Sequence, residues 1–281
     1  MEPIEAQAAM IELKISSGSK IKLSTTVRDL WQYRDLVSIL AWRDYKVRYA
    51  QTFLGFVWAF LQPLATLLIF TLIFSRVAKV DTGDIPYPLF AQSGMLAWTY
   101  FAFLISQAGN SIVGAQAMVK KIYFPRLVIP ISKAIVGLID FMISLVILVI
   151  IGAYYQFVPS ANIVYLPIFI VLLIIGGLGV GIWVSALTVR FRDFTHLLPF
   201  IVQIGMYASP VAYAANMVPE QYQWLYALNP MVGVIEGVRW SIIGGAAPGE
   251  LIYFSMSVML ALFFSGLWYF KKVERVMADL I

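Results

Sequence analysis

The chain has 281 residues, of which 61% are hydrophobic and only 12% are charged, and its formal net charge is +5. Soluble domains carry about 25% charged residues, so a soluble protein of this composition would expose large apolar patches. A surface that faces lipid needs such patches, and the composition therefore indicates an integral membrane protein. The chain has no cysteine and one histidine, His196, which excludes disulfides, thiolate chemistry and multi-histidine metal sites.

The N-terminal part of the chain precedes the apolar windows. Residues 1–25 contain no apolar core followed by a small-residue cleavage site, so no signal peptide is expected. Residues 26–51 mix apolar and charged side chains and include Trp31 and Trp42. This mixture favours an amphipathic helix at the cytoplasmic interface of a membrane, because tryptophan prefers the headgroup region. A solvated charged helix is the alternative.

Six apolar windows follow, and each is long enough to cross a bilayer core of about 30 Å at about 1.5 Å per residue. They cover about 53–75, 89–113, 130–155, 164–189, 197–215 and 251–270. The fifth window is the shortest and contains Pro199 and Pro210, so its ends are the least defined. The expected fold is an all-α integral membrane protein with a transmembrane domain at 52–270 and a C-terminal tail at 271–281.

The basic residues are distributed asymmetrically over the connections. With six spans, 17 of the 20 Lys and Arg residues fall on one set of alternate connections, which includes both termini. Only Arg76, Lys79 and Arg239 fall on the other set. Cytoplasmic connections carry the excess of Lys and Arg, so both termini are predicted to be cytoplasmic.

The segment 216–250 is predicted to lie on the opposite side, yet it is unusually apolar for a loop. A free loop would not be built in this way. We expect short helices, broken at Asn229-Pro230, that re-enter the outer leaflet or cap the bundle.

The sequence contains no motif for nucleotide binding or catalysis. We find no Gly-x-x-x-x-Gly-Lys-Ser/Thr phosphate loop, no His-Glu-x-x-His, no Gly-x-Ser-x-Gly and no paired carboxylates within a span. A membrane-embedded glycosyltransferase is therefore poorly supported. The energy for any transport must come from a partner or from an ion gradient.

One carboxylate, Asp140, lies about ten residues into the third span, and Lys133 lies two turns earlier on the same helix face. A carboxylate within a span can be a proton relay in a gradient-driven carrier. The alternative is a structural group that a neighbouring helix or subunit satisfies.

The connection after the second span, residues 117–126, is short, basic and aromatic. Its Tyr123 and Phe124 suit docking into a groove on another protein, with Lys120, Lys121 and Arg126 at the rim. Ordinary topology-setting charge with interfacial aromatics is the alternative. The turn from Arg190 to Asp193 has the same character.

Aromatic residues cluster inside the second span, deeper than a headgroup belt would place them. They are Trp98, Tyr100, Phe101 and Phe103. Aromatic faces can support a sliding glycan by stacking on its C–H surfaces, and helix packing is the alternative. Four glycines of the fourth span permit close helix contact. They are Gly176, Gly177, Gly179 and Gly181.

Several segments, in order, resemble ABC type-2 transporter permeases, above all those of O-antigen, teichoic acid and related polysaccharide export. Residues 40–63, LAWRDYKVRYAQTFLGFVWAFLQP, resemble the start of the first span in that family. The further matches are Lys120-Lys-Ile-Tyr-Phe-Pro-Arg126, Asp140 within its span, Arg190-Phe-Arg-Asp193, and Leu228-Asn-Pro-Met231 followed by Glu236 and Arg239. The resemblance covers nearly the whole chain after residue 26.

The resemblance implies a transport subunit and not an enzyme. Permeases of this family pair as dimers, bind two copies of a separate ATPase and export a lipid-linked polysaccharide across the bacterial inner membrane. ATP and Mg would then be bound by the ATPase, and this chain itself would hold no cofactor and no metal. Membrane lipids are expected partners and nucleic acid is not. An ABC permease for a drug or lipid, and a gradient-driven carrier, are the alternatives.

The resemblance also implies roles for particular segments. Residues 26–51 would be the interface helix, and 117–126 would couple the chain to the ATPase through Lys120, Lys121, Tyr123, Phe124 and Arg126. Arg192 and Asp193 would make a second cytoplasmic contact. Residues 216–248 would form periplasmic gate helices, with Asn229, Pro230, Glu236 and Arg239. No role is implied for residues 1–25.

We add one hypothesis about the lipid carrier. Arg43, Lys46 and Arg48 lie near the cytoplasmic interface, where they could attract its phosphates. The same residues also serve as plain topology signals.

Overall fold

The computed structural model describes residues 23–49, 57–245, 247 and 249–280. Within these residues all regular secondary structure is helical. The predicted all-α membrane fold is therefore confirmed. Most of the predicted tail 1–25, and residues 50–56, where the first span is predicted to begin, lie outside the described residues.

The helices follow one another with short connections. In chain order they are α1 (Leu23–Gln32), α2 (Arg34–Tyr49), α3 (Val57–Phe70, continued by a π-helical segment Thr71–Val77), α4 (Tyr87–Gly109), α5 (Ser111–Gly114), α6 (Gln116–Lys121), α7 (Val128–Tyr154), α8 (Leu166–Arg190, preceded by a 3-10 turn Ala161–Tyr165), α9 (Phe194–Tyr207), α10 (Glu220–Ala227), α11 (Pro230–Ile243), α12 (Leu251–Glu274) and α13 (Met277–Leu280).

Five of the described helices are long and apolar enough to cross a membrane. They are Val57–Val77, Tyr87–Gly109, Val128–Tyr154, Ala161–Arg190 and Leu251–Glu274. They coincide with the first four predicted windows and the last. The chain is thus a multi-pass membrane protein whose spans satisfy their backbone hydrogen bonds internally, as an apolar solvent requires.

The fifth predicted window, 197–215, differs from the structure. Its helix, α9, runs from Phe194 to Tyr207, and its 14 residues are about 21 Å long, shorter than a bilayer core of about 30 Å. The chain turns at 208–212, where Pro210 has no N–H to continue a helix. The six-span count stays a prediction.

The interface helix is also divided. The sequence predicts one helix over 26–51, and the structure has α1 and α2 joined at Tyr33. Trp31 and Trp42 are exposed, as an interfacial helix requires, while Val37, Leu40 and Ala41 are buried on the face that packs against α7.

The glycines of α8 bring three helices into close contact, which confirms their predicted packing role. A Cβ on Gly179 would lie 2.6 Å from Cα of Phe263 on α12, and one on Gly177 would lie 2.5 Å from Leu104 on α4. On α12, a Cβ on Gly266 would in turn meet the carbonyl oxygen of Gly179. Helix α8 therefore packs closely on α4 and backbone to backbone on α12 at the centre of the bundle.

One end of the bundle contains a buried apolar cluster, which we call the basal cluster. It consists of Val37, Leu40, Ile112, Val119, Phe124, Leu127, Val128, Ile129, Ile182, Ala186, Val189, Phe270, Val273 and Met277. The connections that carry most of the Lys and Arg residues meet at this end. The connection 78–86, the 3-10 turn before α8, and helices α10 and α11 lie at the opposite end, because α4, α7 and α8 each run the full length between the two.

Two ion pairs of opposite polarity hold α2 against α7. Lys133 Nζ lies 2.6 Å from Asp44 Oδ2, and Arg48 Nη1 lies 2.5 Å from Asp140 Oδ2. On α2 the two charged residues are four apart, and on α7 they are seven apart, so each pair of positions lies on one helix face. Because a negative and a positive charge follow each other on α2 and meet the opposite charges on α7, the two pairs fix the register and the direction of α2 along α7.

The pKa of Asp44 reflects this arrangement. Burial alone would raise it, but hydrogen bonds from Lys133 and Arg43, together with their positive charges, outweigh burial and lower the pKa below its ordinary value. The carboxylate therefore stays ionised at neutral pH. Its contribution to stability is lost only in acid, as the pH falls through the lowered pKa.

We expect Gly179→Ala to destabilise the protein because the new methyl group would meet the backbone of α12. Overpacking of this kind costs about 1–3 kcal/mol. Gly152→Ala is the matched control, since it also lies in a long helix but its Cβ would meet nothing nearer than Leu89 at 3.9 Å. Alanine is the better helix former, so the control should melt at the same temperature or higher. Thermal unfolding in detergent measures both, and equal melting of the two variants would contradict the close contact.

We expect Arg48 and Asp140 to be coupled energetically. Asp140→Asn and Arg48→Gln should each lower the melting temperature, and the double variant should lose less than the sum, with a coupling of about 1–3 kcal/mol. Lys46→Gln on the same helix is the control, because Lys46 lies over the Trp42 ring at 5.2 Å and makes no ion pair among the described residues. Additive losses in the cycle would show that the pair does not stabilise α2 on α7.

Candidate functional site

The predicted coupling segment, residues 117–126, lies at the basal end of the bundle. Helix α6 ends at Lys121, and Ile122 is extended, so the chain leaves the helix there. Lys120, Lys121 and Ile122 are exposed, and Tyr123 is 76% exposed. The segment therefore presents two positive charges beside two large apolar side chains.

Phe124 does not share this exposure. It is 5% exposed and belongs to the basal cluster, together with residues of α2 and α12. The docking of Phe124 into a groove on another protein stays a prediction, and in this structure the ring is buried within the chain. Phe124 anchors the coupling segment, and Tyr123 points outward beside it.

Arg126 fixes the other end of the coupling segment. Its backbone N–H donates a 3.0 Å hydrogen bond to Glu274 Oε1, and its guanidinium donates to the Glu274 carbonyl oxygen. Lys271 lies 3.2 Å from the second carboxylate oxygen of Glu274. Arg126, which was predicted to lie at the rim of a docking site, therefore links the coupling segment to the end of α12.

The second predicted contact, the turn from Arg190 to Asp193, lies at the same end. Arg190, Phe191, Arg192 and Asp193 are all exposed. The turn joins the end of α8 at Arg190 to the start of α9 at Phe194. The basal end thus presents two basic and aromatic turns.

The residues predicted to attract lipid phosphates have different surroundings. Arg48 is paired with Asp140 and also lies over the Phe103 ring at 4.9 Å. Arg43 donates a 2.8 Å hydrogen bond to Asp44 but is largely exposed, and Lys46 is exposed. Lys46 and Arg43 are therefore better placed than Arg48 to meet an anion from outside.

The predicted glycan path is not open to solvent in this structure. Trp98, Tyr100 and Phe101 are each at most 5% exposed. Trp98 lies against Phe101, with ring centroids 5.6 Å apart, and the Tyr100 hydroxyl donates to the Ala134 carbonyl at 3.1 Å. These contacts are those of helix packing, and the expectation that the three rings line a path stays a prediction.

At the opposite end, Asn229 joins three helices. Its side-chain oxygen caps α11 by accepting from the Met231 N–H at 3.0 Å. Its Nδ2 donates to the Ala208 carbonyl and to Ser209 Oγ, and its carbonyl accepts from Ser255 on α12. Pro230, which has no N–H, occupies the first turn of α11. The break between α10 and α11 is thus fixed in position.

Arg239 and Glu236 form a second polar cluster at this end. Arg239 Nη1 donates to Glu236 Oε1 at 2.8 Å, Nη2 donates to the Pro210 carbonyl at 2.6 Å, and the guanidinium lies 3.8 Å from the Phe90 ring centroid. Burial lowers the pKa of Arg239, and the nearby Glu236 carboxylate opposes that shift. The pair therefore holds the turn after α9 against α11 and α4.

Sequence reasoning missed the residues that make room for this cluster. A Cβ on Gly94 would lie 2.8 Å from Arg239 Nη2, so only glycine fits there. The Tyr87 hydroxyl donates to the Ala212 carbonyl at 2.9 Å and holds the same turn. Both belong to the second span, where a tyrosine and a glycine carry no signal of a partner 125 or 145 positions later. A cavity of about 420 Å³ adjoins the cluster and is lined by residues of α10, α11 and the start of α12.

Metal binding finds no support in this geometry. Among the described residues, no three His, Asp or Glu side chains lie close enough together to hold a metal ion. Asp140, a carboxylate within a span, forms an ion pair with Arg48.

The chain is similar in sequence to several named export proteins. It is 30% identical over 211 residues to the O-antigen export system permease protein RfbA of Myxococcus xanthus, covering 74% of this chain and 80% of the relative. It is 28% identical over 248 residues to the protein of the same name from Klebsiella pneumoniae, covering 88% and 95%. It is also 28% identical over 249 residues to the polysialic acid transport protein KpsM of Escherichia coli, covering 86% and 94%.

The sequence profile of a membrane-protein family, described as ABC-2 type transporter, matches residues 35–243. The matched region runs from α2 to the end of α11 and includes both the coupling segment and the Asn229 and Arg239 clusters. The chain belongs to the ABC-2 type transporter family, in its polysaccharide and O-antigen export branch.

Proposed function

We propose that this chain is the membrane subunit of an ATP-driven exporter that moves a lipid-linked, O-antigen-like polysaccharide from the cytoplasm to the periplasm. Two copies would form the channel in the bacterial inner membrane, and two copies of a separate ATPase would bind ATP and Mg. The names of the relatives support the polysaccharide, and the missing phosphate loop supports a separate ATPase.

The geometry of the coupling segment carries this proposal. Tyr123 stands out from the basal end, while Phe124 and Arg126 on its C-terminal side are fixed to the body of the protein. An exposed aromatic ring on an anchored segment is suited to be a contact for another protein, because little entropy is lost when it docks. Lys120 and Lys121 would meet an acidic rim, and Arg192 and Asp193 would add a second contact.

Movement of the ATPase would reach the bundle through the basal cluster. Phe124 packs among residues of α2 and α12, so displacement of the coupling segment displaces both helices. The ion pairs of α2 with α7 extend this connection to the third span. With both termini in the cytoplasm, helices α10 and α11 would close the exit as gate helices, held by Asn229, Pro230, Glu236 and Arg239.

The lipid carrier would approach at the cytoplasmic interface, where Lys46 and Arg43 could attract its phosphates. The apolar helices α3 and α9 have much exposed surface, which supports contact with lipid or with a second copy. In a dimer the glycan would pass between the copies rather than through the packed interior around Trp98. A gradient-driven carrier has less support, because Asp140 already forms an ion pair.

The first test is reconstitution with an ABC ATPase that co-purifies with this chain, in vesicles that contain the lipid-linked polysaccharide. We expect ATP-dependent movement of the glycan, and we expect none when the phosphate-loop lysine of the ATPase is changed to alanine. Transport by this chain without the ATPase, or driven by a proton gradient, would contradict the proposal. Movement of a drug or a free lipid in place of the glycan would contradict the substrate.

The second test is Tyr123→Ala, which should weaken co-purification of the ATPase by about tenfold or more, since an aromatic anchor typically contributes at least about 2 kcal/mol. Tyr154→Ala is the matched control, because Tyr154 is 79% exposed, against 76% for Tyr123, and lies at the opposite end of α7. It should bind the ATPase as the unmodified chain does. Equal binding by both variants would remove Tyr123 from the coupling contact.

A further inference from the structure

The cavity at the opposite end of the bundle has the size of a small-molecule site. Its volume of about 420 Å³ lies within the range of about 300–1,000 Å³ that such sites occupy. It lies between α10, α11, the first turn of α12 and the connection before α4. It is remote from the coupling segment, and with both termini in the cytoplasm it would face the periplasm.

The lining combines aromatic rings with hydrogen-bonding side chains. Trp240 lines the cavity with its ring stacked on Tyr165 at 5.4 Å, and Tyr226 lines it with a hydroxyl that donates to Tyr213. Asn216 and Gln223 supply amide groups. Aromatic rings pack on the C–H faces of sugars, and amides can both donate to and accept from their hydroxyls.

One buried nitrogen of a lining residue, Nε of Arg239, has no partner among the described residues. Arg239 is 5% exposed, and its Nε makes no hydrogen bond to any described residue. Buried donors are nearly always paired, so the unpaired Nε leaves Arg239 with hydrogen-bonding capacity that the described part of the chain does not use, on a residue that lines the cavity.

The charge of the lining indicates what kind of ligand the cavity suits. Arg239 and Glu236 are the only charged residues among those described in the lining, and they lie 2.8 Å apart. Their charges cancel, so the cavity offers no net attraction to a phosphate or a carboxylate. A sugar hydroxyl fits better, because it can accept from Arg239 and donate to Glu236 at the same time.

We infer that this cavity is a binding site for one or two neutral sugar residues of the exported glycan after they have crossed the membrane. This rests on the proposed function for the source of the sugar. Such a site would hold the emerging chain between cycles of the ATPase.

The test uses the full chain in lipid nanodiscs and saturation-transfer difference NMR with D-mannose, D-galactose and N-acetyl-D-glucosamine. We expect at least one of these sugars to give a signal that excess inorganic phosphate does not remove. Gln223→Ala should weaken that binding by about two- to tenfold, as loss of one hydrogen bond does.

A blocking variant and a neighbouring control make the test specific. Asn216→Trp places a large ring at an exposed position of the lining and should abolish the signal. Met217→Trp adds the same ring at the next residue, which is exposed but outside the lining, and should keep it. No signal from any of the three sugars, displacement by phosphate, or equal signals from the two variants would overturn the inference.

Failure of this inference can be told apart from failure of the proposed function. Sugar binding is measured on the chain without the ATPase, and ATP-dependent export is measured on the whole complex. If the complex exports glycan but the chain binds none of the sugars, only the inference of a periplasmic sugar site is refuted. If the chain binds sugar but supports no export with its ATPase, the proposed function is refuted.

Discussion

The basal cluster joins three parts of the chain that are far apart in sequence. Val37 and Leu40 come from α2, Phe124 from the coupling segment, and Phe270 and Val273 from α12. Close-packed interiors are weakly compressible, so parts that share one cluster shift together or not at all. The tie between Arg126 and Glu274 adds a polar connection at the edge of the same cluster. A force on the exposed coupling segment is therefore delivered to α2 and α12 together.

The two ion pairs between α2 and α7 extend this connection into the membrane. Charges near or within a bilayer must be paired, and here each partner is supplied by a different helix. Because the signs alternate along α2, a shift by one turn would bring like charges together. The glycine contacts between α8 and its neighbours α4 and α12 then link this end to the opposite end. There, Asn229 and Arg239 hold the turn after α9 in place.

Much of the fold follows from the sequence because lipid imposes simple rules. Long apolar windows became helices, and the break at Asn229-Pro230 lies where a side-chain cap and a proline coincide. The end of the fifth window could not be predicted, since the turn at Ala208 is held by Asn229 and Arg239 from a later part of the chain. Composition alone cannot distinguish an apolar turn that is held by a distant arginine from a continuing helix.

The site residues divide in the same way. The exposure of Tyr123, Lys120 and Lys121 could be predicted, because local composition sets these residues apart. Phe124, Trp98 and Tyr100 carry the same composition but are buried, and burial depends on which helices meet them. Arg48 was predicted as an anion attractor since its partner Asp140, 92 positions later, was not visible as a partner. Ion pairs between distant segments are the part of the site that required the structure.

The claim that the coupling segment and α2 move as one body is tested most directly by a distance between spin labels. The chain has no cysteine, so Ile39→Cys and Ile122→Cys, both at exposed positions, can be labelled without background. In the complex with the ATPase, assembled so that only one of the two copies carries the labels, pulsed electron paramagnetic resonance should give one narrow distance that is the same with and without bound ATP. A distance that changes or broadens when ATP binds would show that the two segments move independently, and would contradict the account.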